Sequence, residues 1–70
     1  MPEGKVARVT HIIASSPKGF EDAIQVGFKR AIKTLRGITG LRVKELEVVV
    51  DGDKIAEYRV ELEVVFLLED

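Results

Sequence analysis

The sequence contains one histidine, His11, and histidine is the residue type that most often serves as a general acid or base. Nucleophilic catalysis would also need a hydroxyl held beside that base, but Ser15 and Ser16 are better explained as turn and helix-cap residues. A strand histidine packed at a subunit contact is the more economical interpretation. A small acid–base enzyme that uses His11 together with glutamates is kept as the third hypothesis for this chain.

Carboxylates are the second group of residues that could carry chemistry. The candidate metal ligands are Glu45, Glu57, Glu61 and Glu63. Hard cations such as Ca²⁺ prefer several oxygen ligands, so a carboxylate cluster repeated across a symmetry axis would suit one. The alternative is a solvated face of cross-strand ion pairs with Arg42, Lys44 and Arg59. Both interpretations stay open, since no EF-hand spacing is present.

Phosphate-binding and base-stacking motifs are missing from the sequence. Its six glycines form neither a GxxxxGK[ST] loop nor a GxGxxG turn, so nucleotide hydrolysis is not expected. There is no tryptophan, and the single tyrosine, Tyr58, falls in the core phase of a predicted strand. The sequence therefore predicts no exposed aromatic pair for stacking on bases or flavins.

The first half of the chain predicts a strand followed by a helix. Residues 5–14 are rich in β-branched side chains and roughly alternate in polarity, which is typical of a strand. Ser16 is placed to cap a helix whose first residue is Pro17. Apolar side chains then recur at helical spacing from Phe20 to Leu35, and Gly37 provides a left-handed stop. This pattern predicts one amphipathic helix.

The second half predicts a hairpin. Leu41 and Val43 alternate in one phase and Leu46 and Val48 in the other, which indicates a β-bulge near Lys44 and Glu45. The segment 51–53, Asp-Gly-Asp, is a hairpin turn between two apolar runs. A long strand over residues 54–68 follows, with one apolar face and one charged face.

These elements give a single α+β domain over residues 1–70, in which one helix packs on a three-stranded antiparallel sheet in the order β-α-β-β. Seventy residues without cysteine have no disulfide staples, and a core of this size rarely supplies more than about 3 to 5 kcal/mol. Val65 and Leu67 also point away from the helix, and long strand edges stay unpaired. Oligomerisation is therefore expected.

Charge and hydropathy exclude several partners. The chain has 11 basic and 12 acidic residues, a net charge of −1, and no run of one sign, so nucleic acid is not an expected partner. No stretch of about 18 apolar residues is present to span a bilayer, and the N-terminal residues lack the apolar core of a signal peptide. These features predict a cytoplasmic protein with no membrane partner.

Nearly the whole chain resembles the dodecin family. The motifs that carry the resemblance are Lys5-Val6, Ser15-Ser16-Pro17-Lys18-Gly19, Ala23-Ile24-Gln25, Lys33-Thr34-Leu35-Arg36, Val43-Lys44-Glu45 and the closing run of residues 57–69. The resemblance implies a hollow shell of twelve subunits. It also implies binding of riboflavin, FMN or FAD in pairs near symmetry axes, for storage rather than turnover.

In flavin-binding members of the family a tryptophan stacks on the isoalloxazine ring and a glutamine bonds its polar edge. The resemblance places these two positions at Gly40 and Arg59 of this sequence. Losing an aromatic platform costs roughly 1 to 3 kcal/mol per stacked ring, and arginine offers donors but no acceptor. Lys33 and Arg36 are the candidate contacts to a nucleotide phosphate.

The last strand also resembles the calcium dodecins, which lack the tryptophan. The leading hypothesis is therefore a non-enzymatic, dodecameric shell protein that holds a small ligand or a cation between subunits, with its flavin pocket degraded. Flavin binding and sequestration is the alternative.

Overall fold

The computed structural model describes residues 4–68 and contains three strands and one helix, in the order β1 (Ala7–Ser16), α1 (Phe20–Ala31), β2 (Ile38–Asp51) and β3 (Lys54–Leu67). All strand pairs are antiparallel, and the order across the sheet is β1-β3-β2. The predicted β-α-β-β fold is confirmed. Glu69, the last residue of the closing motif, lies outside the described residues.

The core lies between α1 and the inner face of the central strand β3. Val60, Leu62 and Val64 are fully buried there, because alternate residues of a strand point to the same face and α1 covers that face. Phe20 at the start of α1 packs edge-on against Tyr58, with ring centroids 5.2 Å apart. The predicted core phase of β3 is confirmed.

The helix begins later and ends earlier than the sequence pattern predicted. Its N-cap is Gly19 rather than Ser16, which is the last residue of β1. The Ser16 hydroxyl accepts a hydrogen bond from the Lys18 backbone N–H at 3.0 Å and donates one to Asp22 Oδ2 at 2.5 Å. The predicted cap was therefore wrong, since this serine closes the turn into the helix instead.

Regular helix ends at Ala31, although apolar spacing continues to Leu35. The backbone N–H groups of Lys33 and Thr34 bond to carbonyls three residues earlier, which tightens the chain into a turn. Gly37 adopts a left-handed φ of 72°, but it precedes β2 rather than stopping the helix. Within residues 4–68 no helix is long and apolar enough to cross a membrane.

Bulges shape β2. The register against β3 shifts between Val43 and Glu45, where a bulge was predicted, and again between Ile38 and Gly40 and between Val49 and Val50. Because of the central shift, Val43 and Leu46 both face the inner side of the sheet, opposite Leu62 and Val60 respectively.

The helix contacts β1 and β3 and leaves the inner face of β2 uncovered. An apolar stripe therefore lies open along this strand, formed by Val43, Leu46, Val48 and Val50, and Leu46 is 56% exposed. The hairpin ends in a turn at Gly52, whose φ of 68° is the left-handed conformation predicted for it. Val65 and Leu67, predicted to face away from the helix, are partly covered within the single chain.

Candidate functional site

The outer face of the sheet carries a charged cluster centred on Glu63 of β3. Its carboxylate oxygens lie 3.0 Å from His11 Nε2 on β1 and 3.4 Å from Arg42 Nη1 on β2. Lys44 Nζ is 4.0 Å away. The Glu63 side chain is only 14% exposed, so this one carboxylate joins all three strands from a shielded position.

Arg59 lies on the same face, toward the hairpin end of β3. Its Nη1 atom donates a hydrogen bond to Glu47 Oε1 at 3.3 Å, and its register partner on β1 is Ser15. The guanidinium of this residue is therefore engaged by a carboxylate of the neighbouring strand.

Gly40 lies at the opposite end of the sheet, in register with Val65. A Cβ atom built on Gly40 would meet no heavy atom within 4 Å, so the chain leaves open space at this position. Val65 lies six positions after Arg59 on β3, which corresponds to about 20 Å along a strand. Within one chain, the two positions therefore lie too far apart to touch one small ring.

Lys33 and Arg36 lie in the exposed connection between α1 and β2. The backbone of that connection bonds to the end of β3, where the Leu67 N–H donates to the carbonyl of Gly37. These two basic residues are therefore at the Gly40 end of the sheet and not beside Arg59.

The four candidate metal ligands do not converge in one chain. Glu45 and Glu61 are directly opposed across β2 and β3, while Glu63 is occupied by the cationic cluster. Glu57 lies beyond Arg59 on β3 and faces Val49. Among the residues that the structure describes, no group of three or more His, Asp or Glu side chains is arranged to hold a metal ion.

Cross-strand ion pairs, the alternative interpretation of this face, are present at Glu63 and at Arg59. The contact between His11 and Glu63 was not predicted from the sequence. It depends on β3 lying between β1 and β2, and hydrophobic alternation carries no signal for strand order.

A cleft between α1 and β1 is the second feature that the sequence did not indicate. It has a volume of about 600 Å³ and is lined mainly by apolar residues, among them Ile12 of β1, Val26 of α1 and Leu35 of the turn that follows α1. Among the described residues that line it, Arg30 alone is charged. The cleft opens beside the edge of β1 that β3 does not use.

Comparison with known proteins gives consistent matches over almost the full chain. The family model described as Dodecin matches residues 6–69. A Thermus thermophilus protein named dodecin is 40% identical over 67 residues, covering 96% of this chain and 97% of that protein. The crystal structure of a tryptophan-to-phenylalanine variant of T. thermophilus dodecin superimposes with a TM-score of 0.89 at 40% identity, covering 96% of this chain and 100% of that one.

A further similar structure is the calcium-chelating antigen calcium dodecin of Mycobacterium tuberculosis, described as having a novel calcium-binding site. It is 34% identical with a TM-score of 0.81, and the match covers 91% of each chain.

Proposed function

Because this chain belongs to the dodecin family, we propose that it is a non-enzymatic shell protein that holds a small ligand or a cation between its subunits. In this proposal twelve copies form the shell, and the flavin pocket that the family resemblance implies is altered at Gly40 and Arg59. The cytoplasmic location stays a prediction.

Exposed apolar surface supports the assembled state. The single chain leaves the β2 stripe uncovered, and within the described residues neither β1 nor β2 pairs with a further strand on its outer edge. Both features are unfavourable for a protein that works as a monomer, because unpaired edges and apolar patches promote association.

The open space at Gly40 is the main observation that supports an altered flavin pocket. With no side chain here and no heavy atom within 4 Å of a virtual Cβ, the position offers no surface on which a ring can stack. Since Gly40 and Arg59 lie about 20 Å apart along the sheet, one flavin that used both positions would have to bind between copies.

Arg59 supports the same conclusion through its chemistry. A glutamine amide presents both a donor and an acceptor to the edge of a flavin ring, whereas a guanidinium presents donors only. One of its Nη1 donors is already directed at Glu47 Oε1, and its other N–H groups add donors but no acceptor.

Flavin titration tests this proposal. We expect the purified protein to be colourless and to leave riboflavin and FMN fluorescence unquenched at micromolar concentrations, because the stacking platform is absent. Stoichiometric quenching by the unmodified protein would instead favour flavin sequestration, the alternative function.

A gain-of-function variant makes the test sharper. Restoring the family residues with Gly40→Trp and Arg59→Gln should produce quenching of bound flavin, since a Cβ atom at Gly40 meets no heavy atom of the chain within 4 Å. Gly40→Leu with Arg59→Gln is the matched control, as it adds bulk but no aromatic face. Equal flavin binding by both double variants would contradict the stacking explanation.

Cation binding is the second candidate, favoured by the direct opposition of Glu45 and Glu61 across two strands. Like charges in this arrangement repel each other unless a cation lies between them. Glu57 and Glu63 remain candidate ligands only if another copy approaches this face, and the similarity to calcium dodecin gives Ca²⁺ as the probe.

Calcium titration should therefore raise the thermal stability of the assembled protein, because a ligand that binds only the folded state stabilises it. The Glu45→Gln and Glu61→Gln double variant should lose this response, and Glu21→Gln, on an exposed position of α1, should keep it. An unchanged melting temperature in millimolar Ca²⁺ would remove the second candidate.

Catalysis by His11 has less support. Its Nε2 atom contacts Glu63, and both side chains belong to a cluster that holds three strands together. This structural pairing accounts for both residues without a reaction.

A further inference from the structure

We propose that the charged cluster on the outer face of the sheet binds a phosphate group. The cluster consists of His11, Arg42, Lys44 and the carboxylate of Glu63 that they surround. All four side chains belong to one chain, so this site goes beyond the proposed holding of a ligand between subunits. It involves neither of the flavin positions.

The cluster has a surplus of positive charge. Arg42 and Lys44 contribute one positive charge each and Glu63 one negative charge, which leaves a net +1 while His11 is neutral. A cluster that served only to tie strands together would be complete with one cation for its one carboxylate. Here the carboxylate offsets the repulsion between neighbouring cations without cancelling all of their charge.

The cluster also has more hydrogen-bond donors than Glu63 uses. A guanidinium has five N–H groups, and Arg42 reaches Glu63 Oε1 through Nη1 alone, at 3.4 Å. Lys44 Nζ lies 4.0 Å from Glu63 Oε2, which is an ion pair but too long for a hydrogen bond. Most donors of these two side chains are therefore not directed at the carboxylate.

Burial places the donors where a ligand can reach them. The Glu63 side chain is shielded, whereas those of Arg42 and Lys44 are 63% and 48% exposed and that of His11 is more than half exposed. His11 approaches from β1 and the two cations from β2. An anion above the shielded carboxylate would thus meet donors from both flanking strands.

The neighbouring residues leave one side of the cluster open to an anion. On the hairpin side, Glu61 lies two residues from Glu63 on β3, about 7 Å along the strand, and it is opposed by Glu45. On the other side the next pair on this face is Val9 with Val65, which carries no charge, and Val9 is 43% exposed. We therefore place the anion on the valine side, away from the two glutamates.

A phosphate group fits this cluster better than a carboxylate does. Near neutral pH a phosphate monoester carries a charge of about −1.5 to −2 and presents three acceptor oxygens. The planar fork of an arginine binds two of these oxygens at once, and lysine supplies a compact charge for another. A carboxylate has half the charge and two oxygens, so it would leave part of the cluster unused.

Equilibrium dialysis of the unmodified, assembled protein against radiolabelled inorganic phosphate tests the site. At low ionic strength, where exposed charges are least screened, we expect saturable binding of about one phosphate per chain. Absence of saturable binding would overturn the proposal.

Three variants that each remove one positive charge test the location. Arg42→Gln and Lys44→Gln should each weaken phosphate binding about tenfold, because each removes a charged donor. Lys29→Gln is the matched control, since Lys29 is an exposed residue in the last turn of α1, and it should bind as the unmodified protein does. Equal losses in all three variants would show that only net charge matters and would overturn the site.

The histidine signal gives a second measurement that needs no variant. His11 is the only histidine, so its ring resonances in protein labelled at histidine report on this cluster alone. Phosphate should shift them saturably, with the same midpoint as in dialysis. Resonances that stay unchanged at saturating phosphate would place the anion elsewhere and contradict the proposal.

The phosphate group could come from the free ion or from a small phosphate ester. Glycerol 3-phosphate and inorganic phosphate, titrated separately, distinguish these sources, and binding of either one supports the site. Because the cluster lies within one chain, a failure to bind phosphate would leave the proposed shell unaffected. A monomer in light scattering would overturn the shell and leave this site standing.

Discussion

Glu63 organises the outer face of the sheet through a single carboxylate. His11, Arg42 and Lys44 approach it from the two flanking strands, and its side chain is largely shielded while theirs are not. The loss of such a partly buried partner matters more than the loss of one exposed ion pair, because it leaves cationic groups facing each other.

We expect Glu63→Gln to lower the free energy of unfolding by about 1 kcal/mol per chain, since the amide keeps the shape but not the charge. Chemical denaturation at fixed chain concentration measures the change. Glu47→Gln is the matched control, because among residues 4–68 Glu47 pairs with Arg59 alone and its side chain is 60% exposed. Equal losses in both variants would contradict the central role of Glu63.

At the scale of elements, the packing of α1 on the sheet depends on a helix residue without a side chain. Gly27 lies against Ala14 and the fully buried Leu62, so the helix approaches β1 and β3 more closely than a larger residue would allow. This close approach also determines the shape of the cleft beside β1.

Gly27→Ala is therefore expected to destabilise the protein by about 1 to 2 kcal/mol, even though alanine favours helix by about 1 kcal/mol. The added methyl would lie 2.9 Å from Leu62 Cδ1 and 3.2 Å from Ala14 Cβ. Thermal unfolding compares it with Gly4→Ala, where nothing lies within 4 Å and no change is expected. A gain in stability at Gly27 would show that the core can expand.

The whole molecule is elongated, with extents of 58 × 20 × 14 Å, because the hairpin of β2 and β3 extends beyond the helix. A chain of 70 residues with this shape buries few side chains and leaves apolar residues open on β2. Its stability is therefore expected to depend on neighbouring copies.

Light scattering should give a mass near that of twelve chains of 7.8 kDa, about 94 kDa in total. The midpoint of thermal unfolding should rise with protein concentration, since association stabilises only the folded chains. A monomer or dimer with a concentration-independent midpoint would contradict the shell.

The sequence alone determined the order of the elements, the phase of β3, the central bulge of β2 and the hairpin turn. Each of these depends on local alternation or on a glycine with left-handed φ, and such signals are read from neighbours along the chain. The predicted helix ends were wrong. The Ser16 hydroxyl, at the end of β1, is hydrogen-bonded to Asp22 and to the Lys18 backbone N–H, and a tightened turn follows Ala31.

Only the tertiary structure decided which residues meet. The central position of β3 brings His11 and Arg42 to the same carboxylate, and the length of the sheet separates Gly40 from Arg59. The same arrangement leaves the apolar stripe of β2 (Val43, Leu46, Val48 and Val50) out of contact with α1. These relations depend on strand order and on how far a 12-residue helix extends over two 14-residue strands, which no local pattern encodes.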